Sequence, residues 1–110
     1  AAALSAGRPM PVSHVPSFVD GIGSSEMLDE MWSLVRETVD QAICASLSEI
    51  AAAVRLLAVQ HKIIAEGAGA ASVAAALSGR AGKGNIVCIV SGGNIDASKL
   101  AKILTGEIPT

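Results

Sequence analysis

Apolar residues recur at helical spacing in three places along the chain. Met27, Leu28, Met31, Leu34, Val35 and Val39 share one stripe over residues 25–39, opposite Glu26, Asp29, Glu30, Arg36, Glu37 and Asp40. This pattern predicts an amphipathic helix with a solvated charged face. Ser46-Leu47-Ser48-Glu49 has the S-x-x-E capping-box form and predicts a second helix, running to about His61. Leu47, Ile50, Val54, Leu56, Leu57 and Val59 surround that helix, so cover on both sides is expected. Gly67 to Ser72 is a run of tiny residues that allows close backbone approach and leads into a third helix, ending near Leu77.

The remaining pattern is different. Asn85-Ile86-Val87-Cys88-Ile89-Val90 carries an unbroken apolar run, as expected of a parallel strand buried on both faces. Residues 41–45, around Ile43, form a weaker strand candidate. Ser91-Gly92-Gly93-Asn94 ends the strong strand, and a helix over about residues 96–104 follows, stopped by Gly106. Pro9, Pro11 and Pro16 mark an extended arm after a helical turn at the start of the chain. Helix and strand alternate, which is α/β order.

Composition sharpens this picture. Of 110 residues, 51% are apolar and only 16% charged, against about a quarter charged in ordinary globular chains. Twenty alanines and 11 glycines keep the side chains small. So apolar a chain does not read as disordered. Its net charge of −2, without a basic run, excludes a nucleic-acid partner. No stretch approaches the roughly 20 apolar residues of a membrane span, so no membrane association is expected. A chain this small and apolar is expected to hide much of its surface against further polypeptide. Cys44 and Cys88 each lie in an apolar run, fit no zinc spacing, and read as core thiols of a reduced, cytoplasmic protein.

Three segments are candidates for chemistry, each with a plainer alternative. Ser91-Gly92-Gly93-Asn94 lies where α/β proteins place ligands, at the carboxyl end of a strand, but is equally a tight turn needing glycine. Glu66 lies between Ile63-Ile64-Ala65 and the tiny residues that follow. A carboxylate there needs a partner, or it is a surface acid at a helix terminus. Asp20-Gly21 with Ser24-Ser25 opens a helix and could hold an anion, or the serine simply caps the helix. His14 and His61 have no nucleophile pattern near them and read as structural. Trp32 and the methionines read as core or partner-contact residues.

Taken in order, Val19-Asp20-Gly21-Ile22, Val35-Arg36-Glu37-Thr38-Val39-Asp40, the cap at Ser46, His61-Lys62-Ile63-Ile64-Ala65-Glu66-Gly67-Ala68-Gly69-Ala70-Ala71 and Ser91-Gly92-Gly93-Asn94-Ile95-Asp96 resemble the serine/threonine dehydratase family. That family includes threonine ammonia-lyase and serine racemase, among the fold-type II pyridoxal 5'-phosphate enzymes. The resemblance implies the C-terminal third of a tryptophan synthase β-like catalytic domain, a parallel sheet flanked by helices, with residues 1–110 as one partial domain. It implies that the Schiff-base lysine, the phosphate loop and the family's metal ligands all lie upstream, leaving no catalytic lysine and no metal ligand here.

The resemblance also assigns roles. Ser91 matches the residue whose hydroxyl meets the pyridine nitrogen. Glu66 matches an acid beside the cofactor ring. Gly21 matches a glycine whose backbone approaches the cofactor, where a side chain would collide with it. Ser24 matches a substrate-binding position. The implied reaction is dehydrative deamination of L-threonine or L-serine to a 2-oxo acid and ammonia. The chain is expected to be inactive alone and to act in a nicked or split enzyme with a complementary N-terminal chain, the assembly being a dimer. Serine racemase activity and a non-catalytic partner subunit are the alternatives.

Overall fold

The computed structural model describes residues 1–110. Its order is a short helix α1 (Ala2–Ala6), a single 3-10 turn (Asp20–Ile22), α2 (Asp29–Thr38), α3 (Leu47–Leu56), α4 (Gly67–Leu77) and α5 (Ala97–Thr105). The shape is a slab of 40 × 33 × 18 Å with a radius of gyration of 14.7 Å. A compact domain of this length has roughly 13 Å. Only 14 of 110 residues are buried.

α3 is the centre of the slab, packed against α4 and α5. Its start follows from Ser46: the Ser46 hydroxyl accepts from Glu49 N–H at 3.2 Å, and Glu49 Oε2 accepts from Ser46 N–H at 2.7 Å. This is the reciprocal capping box expected from the sequence. Glu49 also meets Arg80, 2.6 Å away, from the loop after α4. The Ser46 N–H, the Arg80 guanidinium and the Ser46 hydroxyl together lower the Glu49 carboxyl to a pKa of about 2. Past Leu56 the helix widens into a π turn, Leu57–His61, and stops at Lys62, whose φ is 59°. Ile50, Ala51, Ala53, Val54 and Leu57 are buried. Leu47 and Val59 stay exposed, so α3 is covered by this chain on one side, not on both as expected.

α4 contributes Ala70 and Ala74 to this core, and α5 contributes Ile103, the largest fully buried side chain together with Val54. The small side chains of α4 let it approach α3 closely. Gly106, at φ 94°, ends α5, and Arg55 Nε donates to Leu104 O at 3.2 Å, tying that end to α3. Phe18 and Val19, from the proline-rich arm, close the core beside the first turn of α4. α2 buries no residue.

The expected parallel sheet is not formed within this chain. Residues 41–45 and 85–90 make no backbone–backbone hydrogen bond. Val87 and Ile89 are 90% and 75% exposed, where burial on both faces was expected. A strand exists only through a neighbour's ladder, and neither segment forms one within this chain. The thiols also differ from expectation: Cys44 is exposed and Cys88 only half-buried. Both follow the unpaired segments that carry them.

Candidate functional site

The site is built on the first turn of α4. Glu66 is its N-cap residue, but the carboxylate makes no capping bond to the helix. It extends into the space a side chain would fill at Gly92 and reaches ordinary contact distance of Gly21. A Cβ on Gly92 would collide with Glu66 Oε1, and a Cβ on Gly21 would lie 3.9 Å from Glu66 Oε2. The backbone holds the same arrangement. Glu66 N–H donates to Gly92 O at 3.0 Å. The structure therefore brings together Gly21, Glu66 and the Ser91–Gly93 turn, which the sequence separates by up to 72 positions (93 − 21).

Beside the carboxylate lies an open cleft of about 370 Å³. Asp20, Gly21, Glu66, Asn94, Asp96 and Lys99 are among its lining residues. That volume is within the usual range for small-molecule sites. Lys99 Nζ is 3.5 Å from Asp96 Oδ2, one turn back on the same helix. Asn94 belongs to the glycine turn read as a candidate in the sequence and Asp96 to the segment that carries the resemblance, though neither was given a role; Lys99 was not singled out, and its only signal was position on the first turn of the next helix.

The other candidates are placed as follows. Ser91 is exposed and directly precedes Gly92. Ser24 is not among the cleft's lining residues. Its hydroxyl donates to Glu26 O at 2.7 Å, closing its own loop. His14 lies directly against Gly23, in space a side chain there would need, and Val12 N–H donates to Ser25 O at 2.7 Å. His14 thus supports the turn, in keeping with a structural reading. The reason for glycine at position 21 has a second part that the sequence did not suggest: a Cβ there would meet Ala68 Cβ at 2.9 Å.

Of the residues singled out in the sequence, Gly21 and Glu66 line the cleft, whereas Ser91, like Ser24, does not. Residues 1–92 match the family described as pyridoxal-phosphate dependent enzyme. The L-threonine ammonia-lyase of Thermotoga maritima is 41% identical over 104 residues, covering 94% of this chain and 26% of that protein. The crystal structure of the T.th. threonine deaminase superposes with a TM-score of 0.81 at 29% identity, over 86% of this chain and 33% of that one. Maize serine racemase superposes with a TM-score of 0.79 at 28% identity, over 96% and 35%.

The chain belongs to the pyridoxal-phosphate dependent enzyme family and is similar, within it, to the threonine dehydratases. The family's cofactor is pyridoxal phosphate. The chain spans about a quarter of the length of the curated relatives it matches. No helix is long and apolar enough to cross a membrane.

Proposed function

We propose that this chain forms one wall of the active site of a threonine/serine ammonia-lyase, which converts L-threonine or L-serine to a 2-oxo acid and ammonia. The observation that carries the reading is the Glu66 carboxylate in the space beside Gly92, near Gly21, with Ser91 preceding Gly92 in the chain. The likeness to threonine ammonia-lyase over 94% of the chain supports it.

Bound pyridoxal phosphate supplies an electron sink for loss of the α-proton and the β-hydroxyl. Ser91 would offer its hydroxyl to the pyridine nitrogen as a neutral partner. It does not lock a proton there, which moderates the sink and favours elimination over transamination. Glu66 stands beside the ring, and Gly21 and Gly92 leave the carboxylate room to do so. Ser24 faces the substrate only if its bond to Glu26 O opens. The proton at the substrate α-carbon passes to a lysine carried by the complementary N-terminal polypeptide, which also brings the phosphate loop.

That polypeptide covers Ile63, Ile64, Ile86, Val87 and Ile89, all of them exposed here. It pairs with residues 85–90 and completes a parallel sheet. The complex is dimeric and cytoplasmic. The free thiols Cys44 and Cys88 are compatible with a reducing compartment.

The test is to co-express the chain with a complementary N-terminal segment of the family, purify the complex, and assay 2-oxo acid release from L-threonine and L-serine. Cofactor absorbance with 2-oxo acid formation is expected. A complex that binds cofactor but only interconverts serine enantiomers identifies a racemase. A complex that takes up no pyridoxal phosphate overturns the reading.

A further inference from the structure

The Ser91–Gly93 turn has backbone contacts on one side only; on the other, Ser72 ties the chain through side-chain bonds, Ser72 Oγ donating to Ile89 O at 2.8 Å and Cys88 Sγ to Ser72 O at 3.5 Å. Residues 85–90, which lead into it, make no backbone–backbone hydrogen bond. Beyond Ser91 the situation reverses. Gly92 O accepts from Glu66 N–H at 3.0 Å. The Gly92 peptide lies against the Cα of Gly69: a Cβ on Gly69 would be 2.5 Å from Gly92 O and 3.0 Å from Gly92 N. A Cβ on Gly93 would collide with Ile64 O. Three positions, 64, 66 and 69, therefore fix one peptide turn.

Gly69 is a costly choice for its own helix. It lies inside α4, where glycine is about 1 kcal/mol less favourable than alanine. It is buried, and it has no positive φ to justify it. What it provides is space for Gly92.

We propose that Gly69 is a positioning residue: its missing side chain seats the Gly92 peptide on α4, and this seating sets where Ser91 presents its hydroxyl relative to Glu66. The inference rests on the cofactor role given to Ser91 above. It adds that a residue outside the cleft's lining determines the geometry of the ring-nitrogen contact. An added methyl at position 69 meets backbone atoms, which cannot rotate aside. Either Gly92 moves, breaking the Glu66 N–H bond, or the first turn of α4 moves and carries Glu66 with it. Both change the Ser91–Glu66 separation.

The experiment uses the holoprotein assembled with its complementary polypeptide. Wild type, Gly69→Ala, Ser91→Ala and Ser72→Ala are titrated with pyridoxal phosphate, and the absorption band of the bound cofactor is followed against pH. Ser72→Ala is the control on the same helix: it removes the 2.8 Å bond from Ser72 Oγ to Ile89 O, on the other side of Ser91. Gly69→Ala is expected to weaken cofactor binding by at least about tenfold, since displacements near 1 Å at reacting groups have effects of this size or larger. Its band and pH profile should shift toward those of Ser91→Ala, while Ser72→Ala stays near wild type. If Gly69→Ala does not fold, Gly93→Ala, whose Cβ would meet Ile64 O, displaces the same turn from the side of residue 64 and should give the same shift. Wild-type affinity and spectrum in the glycine variant overturn the proposal, as does an equal shift in Ser72→Ala. Failure of the wild type itself to bind pyridoxal phosphate is a separate result, and overturns the assignment of the cleft together with this inference.

Discussion

Replacing Gly21 by alanine tests the contact between the Asp20–Ile22 turn and α4. The added Cβ would lie 2.9 Å from Ala68 Cβ. Carbon atoms pack best at about 3.5–4.0 Å, so the two elements must separate by roughly 0.6–1.1 Å. Ala68 has no rotamer with which to avoid the contact, so α4 or the turn moves as a body. Overpacking of this kind costs about 1–3 kcal/mol. Ala68→Gly removes the opposing carbon at a cost of at most about 1 kcal/mol in helix propensity. The double variant Gly21→Ala/Ala68→Gly should therefore recover part of the loss, with a coupling of about 1–2 kcal/mol. Urea denaturation of the assembled protein, as a double-mutant cycle, measures this directly. Glu66 begins the same helical turn, so cofactor affinity should fall in Gly21→Ala and return in the pair. Strict additivity in both measurements would refute the claim that Gly21 is needed for this contact.

Three further outcomes are expected. Ile103→Ala empties the fully buried site between α5 and α3 and should cost about 2–5 kcal/mol by chemical denaturation. Ser46→Ala removes the acceptor for Glu49 N–H and should cost about 1 kcal/mol, read as a lower melting temperature. Glu49 makes stability depend on pH. Its native pKa of about 2 lies below the usual 4.5, so the folded state binds fewer protons between these values. Its contribution is complete above about pH 4.5 and is lost as pH falls toward about 2. Glu49→Gln should flatten this part of the stability profile.

Much of the helical framework was legible in the sequence, because its determinants are local. Ser46 and Glu49 specify the start of α3 by bonding each other across three residues. Gly106 specifies the end of α5 through a positive φ that other residues adopt at a cost. The tiny residues at 67–72 indicated close approach, and the structure places Gly67 against Phe18 and Gly69 against Gly92. The apolar run at 86–90 could be recognised as strand-like, but within this chain it forms no backbone ladder and Val87 and Ile89 stay exposed. Cys88 is half-exposed for the same reason.

The site divides in the same way. Gly21, Glu66 and Ser91 could be singled out by residue type and order, since a carboxylate among apolar and tiny residues is conspicuous anywhere. That the Glu66 side chain makes no cap bond to its own helix and occupies the space beside Gly92 is seen only in the tertiary structure. So is the 2.9 Å approach that makes Gly21 answer to Ala68 as well as to a ligand. Asn94, Asp96 and Lys99 join the cleft only because α5 returns beside the Asp20–Ile22 turn. Hydrogen bonds and backbone preferences act over a few residues and can be read along the chain, whereas close approach between segments some 70 positions apart is settled only by how the small side chains let the helices meet.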